Sequence, residues 1–143
     1  MQTAKVIFGS NNLPFSLLIK LFTLSSWCHC AIIDGDYVID TTLLSGVRRI
    51  TLDEWKSHYI KHEVVEFPIS DLENSLAWAR DQIGKKYDML GILSLALHKK
   101  YEDVDKWFCS ELVAQYLGIK YKVWRLSPQF LKQLSNVLKG WIT

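Results

Sequence analysis

Residues 26–40 read Ser-Trp-Cys-His-Cys-Ala-Ile-Ile-Asp-Gly-Asp-Tyr-Val-Ile-Asp, and the fold turns on how this stretch bends. Trp27 to Ile33 and Tyr37 to Asp40 are rich in apolar and β-branched residues. Between them stands Asp34-Gly35-Asp36. An Asp-Gly pair between two such runs is a strong hairpin signal, because the favoured two-residue turns need a positive φ that glycine accepts without strain. With Asp34-Gly35 as the turn, Ile33 pairs with Asp36 and His29 faces Asp40. Direct cross-strand neighbours have Cβ atoms about 4.5–5.5 Å apart on one face. At that separation a carboxylate can accept a hydrogen bond from an imidazole and fix its tautomer. A three-residue turn would instead put Thr41 opposite His29. The hairpin by itself favours an ordinary surface His–Asp pair.

Working outward, Ala4 to Phe8 reads as a short strand and Leu13 to Leu24 as a buried helix. Val47 to Ile50 adds a strand after Gly46. Thr51-Leu52-Asp53-Glu54 is a capping box, and it opens a helix expected to run to Lys61. Glu63 to Phe67 is a strand ended by Pro68. Ser70-Asp71-Leu72-Glu73 is a second capping box, whose helix carries Leu72, Leu76, Ala79 and Ile83 at helical spacing and stops at Gly84. Met89 to His98 is apolar all round, as a helix buried on most sides should be. Asp105 is placed to cap a helix over residues 106–117, and Tyr121 to Trp124 reads as a strand. Ser127-Pro128 starts the last helix, with a capping side chain and then proline at the first position. Its inner stripe is Phe130, Leu131, Leu134, Val137, Leu138 and Trp141. The strands fall mostly in the first half. That grouping predicts an α+β fold, a mainly antiparallel sheet packed by helices.

The chain has 143 residues, 49% hydrophobic and 22% charged, which fits one globular domain over residues 1–143. Net charge is +2, from 17 basic and 15 acidic residues, and no basic run exceeds two (Arg48-Arg49, Lys85-Lys86, Lys99-Lys100). A nucleic-acid binder needs a basic stripe, so no nucleic-acid partner is expected. Three cysteines without a pairing pattern fit a reducing compartment. Residues 1–5 lack the order of regions that a secretory signal requires. Met89 to Leu97 is about half the length of a membrane span. The expectation is a soluble, cytoplasmic protein with no membrane span.

Cys109 lies in Trp107-Phe108-Cys109-Ser110-Glu111-Leu112-Val113. Leu112, Val113 and Tyr116 give the following segment an apolar helical stripe, which puts Cys109 in the first turn. Unpaired N–H groups at a helix N-terminus favour the thiolate, and a neighbouring histidine does the same. A small buried core cysteine fits the same pattern. Cys28-His29-Cys30 suggests zinc, but alternate residues of a strand point to opposite faces. One ion cannot then gather all three, and neither Cys-x-x-Cys nor His-x-x-x-His spacing occurs elsewhere. No metal and no cofactor are expected, and His58, His62 and His98 receive no role.

Taken in order, these features resemble the circularly permuted papain-like hydrolases of the NlpC-type superfamily, the YiiX-like branch, in which the histidine strand comes early and the cysteine helix late. Residues 26–33 look like the family's Ser-His-x-Ala/Gly-Ile strand, with Cys28 where a small polar residue often stands. Tyr37-Val38-Ile39-Asp40 looks like the next strand, with aspartate where this branch usually has glutamate. Ile83-Gly84-Lys85-Lys86-Tyr87-Asp88 is similar to the Gly-Lys-x-Tyr-Asp segment. Phe108-Cys109-Ser110-Glu111-Leu112-Val113 is similar to the nucleophile motif, and Leu126-Ser127-Pro128 to the closing Thr/Ser-Pro. The resemblance spans nearly the whole chain. It implies a permuted papain-like fold with Cys109 as nucleophile, His29 as base and Asp40 orienting the ring. It also implies that the backbone N–H of Cys109 helps hold an oxyanion and that Tyr87 lines the site. The reaction implied is acyl transfer, most simply by a thiol amidase or peptidase on a peptide-like bond, with cell-wall peptide as one candidate class. Two readings stand beside it. One is a lipid-directed acyl hydrolase or acyltransferase of the same fold, disfavoured because no membrane anchor is evident. The other is a catalytically silent binding module, against which the intact Cys, His and acid positions weigh. The sequence leaves the oligomeric state open.

Overall fold

Strands β1 (Gln2–Ser10), β2 (His29–Asp34), β3 (Tyr37–Thr42), β4 (Gly46–Thr51) and β5 (Lys61–Ile69) pair antiparallel in the order β4-β3-β2-β1-β5. This is a computed structural model, and it describes residues 2–23, 26–87, 106–107, 109–119 and 127–142. The expected α+β architecture, an antiparallel sheet packed by helices, is what the chain adopts. β2 is central and buried along almost its whole length, which explains why residues 27–33 read as a nearly continuous apolar run.

The hairpin forms, with a register two residues from the expected one. Asp34 pairs with Tyr37 and Ile32 with Ile39, so the turn residues are Gly35 and Asp36. Gly35 takes φ +62°, the left-handed conformation that its lack of a Cβ allows. A slip of one residue would have sent Asp40 to the opposite face, whereas a slip of two keeps it on the same face as His29. The two side chains are therefore diagonal neighbours rather than directly opposed ones.

Five helices are placed among the described residues: α1 (Pro14–Thr23), α2 (Leu52–Ser57), α3 (Leu72–Asp81), α4 (Cys109–Tyr116) and α5 (Pro128–Ile142). Two short strands, β6 (Lys86–Tyr87) and β7 (Lys106–Trp107), pair in parallel. The larger core lies on the sheet face built from Ala4, Val6, Phe8, Cys30 and Ile32, against Leu112, Val113 and Tyr116 of α4 and Leu131 of α5. Each fully buried aliphatic side chain there contributes about 1.5–3 kcal/mol. A smaller core of Ile7, Ala31, Val38 and Trp55 lies on the other face, where α2 packs.

Several boundaries differ from expectation, each because sheet or cap geometry overrides local pattern. Thr51 caps α2 by accepting from the Glu54 N–H, yet the helix ends at Ser57, not Lys61. Residues 61–63 are drawn into pairing with Ser10, Gly9 and Phe8. β5 continues through Pro68, which an edge strand tolerates because its N–H side can face away from the ladder. Asp71, one residue later than expected, caps α3. Residues 106–107 form β7 instead of the start of a helix, so α4 begins at Cys109 itself. On α5, Ser127 accepts from the Phe130 N–H as expected, but Phe130 and Val137 are about half exposed and only part of the forecast stripe faces inward. The forecast elements at 89–98 and 121–124, and Asp105, lie outside the described residues. No helix among the described residues is long and apolar enough to cross a membrane.

Candidate active site

His29 is the first residue of β2, so its ring stands at the end of the sheet. It is 8% exposed and lies in a wall of aromatics, 6.0 Å from the Trp55 ring and 5.8 Å from the Tyr59 ring, stacked with both. Trp55 comes from α2 and Tyr59 from the link to β5, with ring centroids 4.3 Å apart. The neighbouring strand leaves room for this pair because residue 9 is glycine. A Cβ there would stand 2.7 Å from Tyr59 Cγ and 2.8 Å from Trp55 Cη2.

Asp40 is fully buried and accepts from three side chains. His29 Nε2 lies 2.8 Å from Oδ2, Trp55 Nε1 donates to Oδ2 at 3.0 Å, and Arg48 Nε donates to Oδ1 at 2.9 Å. Burial pushes this carboxyl up, but the hydrogen bonds and charges of His29 and Arg48 outweigh it and hold Asp40 below the usual carboxylate range. Arg48 and Trp55 carry no motif that draws attention in the sequence. The signal for Arg48 lies in the second hairpin, where Asp40 pairs directly with it across β3 and β4.

Cys109 opens α4 and is buried in the larger core beside Cys28 and Cys30. Its sulfur interacts with the His29 ring by hydrogen bond and charge, and with the Cys30 thiol and backbone. With Nε2 committed to Asp40, Nδ1 is the ring nitrogen left for sulfur. Burial alone would push the Cys109 thiol up; hydrogen bonds from Cys30 and His29, with the imidazolium charge, bring it down to about 5. Burial would likewise lower His29, but Asp40 and Cys109 raise it to about 10. Thiolate and imidazolium support each other away from water, but the leading support comes from Cys30 at the sulfur and from Asp40 at the ring. Cys30 is pushed well above an ordinary thiol by burial and then by the Cys109 sulfur, so it stays protonated and can donate. No motif in the sequence marks Cys30 for this role. Its place on the strand next to the histidine is what brings it to the sulfur. Cys28 packs in the larger core, with its thiol 3.5 Å from the Gly9 carbonyl.

A cavity of about 550 Å³ opens against His29, lined also by Leu13, Ile19, Leu43, Leu44, Tyr59 and Tyr87. Tyr87 and His29 thus line the same cavity. Cys109 is 1% exposed and is not among the residues that line this cavity. Burial and hydrogen bonding therefore bring all four sequence-selected residues, Cys109, His29, Asp40 and Tyr87, to one end of the sheet.

In class, then, the chain is an α+β protein with a buried thiol–imidazole–carboxylate line beside an apolar cavity. Among solved structures it is similar to one titled metalloprotein yiiX, from Escherichia coli O157:H7, at 25% identity and a TM-score of 0.59. The likeness covers 80% of this chain and 63% of that one, so it leaves more than a third of that protein unmatched. No protein-family model matches the chain, and no curated protein matches it significantly. The described residues include no group of three or more His, Cys, Asp or Glu side chains that could hold a metal ion, and the polar atoms of His29 and Asp40 are turned toward each other, Arg48, Trp55 and Cys109. They do not fit a metal centre of that kind.

Proposed function

We propose that the chain is a thiol-dependent hydrolase of the circularly permuted papain-like type, with Cys109, His29 and Asp40 as its catalytic line. The observation that carries this reading is the contact of a helix-terminal thiol with an imidazole whose far nitrogen is bound by a buried carboxylate. Three groups in this order match what nucleophilic acyl transfer needs.

The Cys109 thiolate attacks the carbonyl carbon of an amide or ester, forming a C–S bond and an oxyanion. The backbone N–H of Cys109, at the start of α4, stabilises the negative oxygen. As the intermediate collapses, the His29 imidazolium gives its proton to the departing amine or alcohol, leaving a thioester on Cys109. Water then attacks the thioester with His29 taking its proton. The C–S bond breaks, an acid is released and the ion pair is restored. Asp40 holds the ring in one orientation through both steps, and Arg48 and Trp55 hold Asp40. Tyr87 bounds the space in which the substrate sits.

The experiment is capture of the thioester. Incubation with an activated ester such as p-nitrophenyl acetate should add one acetyl group to the intact mass, located on Cys109 and removable by hydroxylamine at neutral pH. Acylation at lysines alone, or none, contradicts the reading.

A further inference from the structure

The mechanism uses one of the three cysteines and leaves two buried thiols without a chemical task; all three are free. Cys28 has the Gly9 carbonyl as its partner. Cys30 turns to the Cys109 sulfur, which its thiol and its backbone N–H both meet. The two side chains share the larger core, at 0% and 1% exposure. The backbone holds them there. Cys30 pairs with Phe8 inside the sheet, and α4, which begins at Cys109, packs on β2.

A thiol is a weaker hydrogen-bond donor than a hydroxyl, so support of the thiolate alone gives no reason for sulfur at position 30. What sulfur adds is the ability to bond covalently to its neighbour. A redox-active cysteine is a thiolate poised next to a resolving thiol. Cys109, brought down to about 5, supplies the thiolate, and Cys30, kept protonated, stands as the resolving thiol. A small oxidant has a way in, because His29 touches the sulfur on one side and lines the cavity on the other.

We propose that Cys30 and Cys109 form a reversible disulfide when the protein meets a hydroperoxide, and that this bond switches the nucleophile off. The proposal rests on the hydrolase reading for the activity that is lost. In the first step the Cys109 thiolate attacks one peroxide oxygen and the O–O bond breaks. The departing hydroxide or alkoxide takes the His29 proton and leaves as water or an alcohol. Sulfur is thereby oxidised to the sulfenic acid and the peroxide is reduced. In the second step the Cys30 sulfur attacks the sulfenic sulfur. An S–S bond forms, the S–O bond breaks, and the hydroxide leaves as water with the Cys30 proton. A dithiol reverses the outcome by exchange, returning both thiols and becoming a disulfide itself.

The test treats the native full-length protein with hydrogen peroxide, then denatures it in N-ethylmaleimide and measures the mass. One adduct, on Cys28, is expected in place of three, with a linked peptide pair joining Cys30 to Cys109. Dithiothreitol added before the maleimide should restore all three adducts. Activated-ester turnover should fall by about tenfold or more with the peroxide and return with the dithiol. At the same peroxide dose, Cys30→Ala should accumulate several-fold more sulfinic acid on Cys109, because its sulfenic acid has lost the resolving thiol. Three adducts after peroxide overturn the proposal, as does a bond between Cys28 and either other cysteine. Equal sulfinic acid in wild type and Cys30→Ala also overturns it. Failure of the hydrolase reading looks different: no thioester on Cys109 before oxidation, with the disulfide still scored by mass.

Discussion

One hairpin carries two buried aspartates with opposite uses. Asp34, at the end of β2, is gripped by Arg80 from α3 through two bonds of 2.9 and 2.8 Å, with Arg49 at 3.4 Å. Arg49 in turn lies 3.9 Å over the Tyr37 ring. Asp40, six residues on, also meets an arginine, Arg48, but its other partners are His29 and Trp55. Both carboxyls are held below the usual range, Asp34 chiefly by its hydrogen bond to Arg80 and Asp40 by His29 and Arg48 against its burial. An ion pair or a lowered pKa does not distinguish the two. The difference lies in the partners. Asp34 sees only permanent cations and staples α3 to the sheet. Asp40 sees a ring that gains and loses a proton, beside a thiol and a cavity. A buried carboxylate marks chemistry when its partner can titrate.

Changes at the Asp40 end should act on turnover, and changes at the Asp34 end on stability. The largest effect is expected from Cys109→Ala, which should lower activated-ester turnover by about 10⁴-fold or more. Asp40→Asn should follow, at about 10³-fold, because the amide cannot support the imidazolium or the correct tautomer. Asp34→Asn assayed in parallel should keep turnover within about twofold. Equal losses from the two asparagine variants would erase the contrast. Gly9→Ala sharpens it from the side. A methyl pressed into the Trp55 and Tyr59 rings should cost about 1–3 kcal/mol, read from the urea midpoint. It should also lower turnover, since those rings wall His29. The smallest change is Arg80→Met, a slight fall in the urea midpoint with no loss of turnover, because its guanidinium is 40% exposed and screened by water.

Much of this was legible in the sequence, for physical reasons that differ by residue. Asp-Gly announced the hairpin, and the period of two kept Asp40 on the histidine's face even though the register slipped by two. Cys109 at a helix start could be read from the spacing of Leu112, Val113 and Tyr116. The length of α2 is not legible in the sequence, because a capping box marks where a helix begins while its end is set by the pairing of residues 61–63 with β1, distant in sequence but adjacent in the sheet. Arg48, Trp55 and Cys30 were missed as members of the site. Their roles come from cross-strand register and tertiary packing, which local composition does not encode.

The most direct test of the central claim, a thiolate–imidazolium pair at Cys109 and His29, is the pH dependence of Cys109 alkylation by iodoacetamide in the native protein, followed by peptide mass analysis. The thiolate exists above the folded thiol pKa and the imidazolium below the folded histidine pKa, so the pair should persist between about pH 5 and about pH 10. Labelling of Cys109 should therefore rise through an acid limb near pH 5, with Cys30 unlabelled at neutral pH. A single limb near the ordinary thiol value of 9.0, or a Cys109 that reacts only after denaturation, would contradict it.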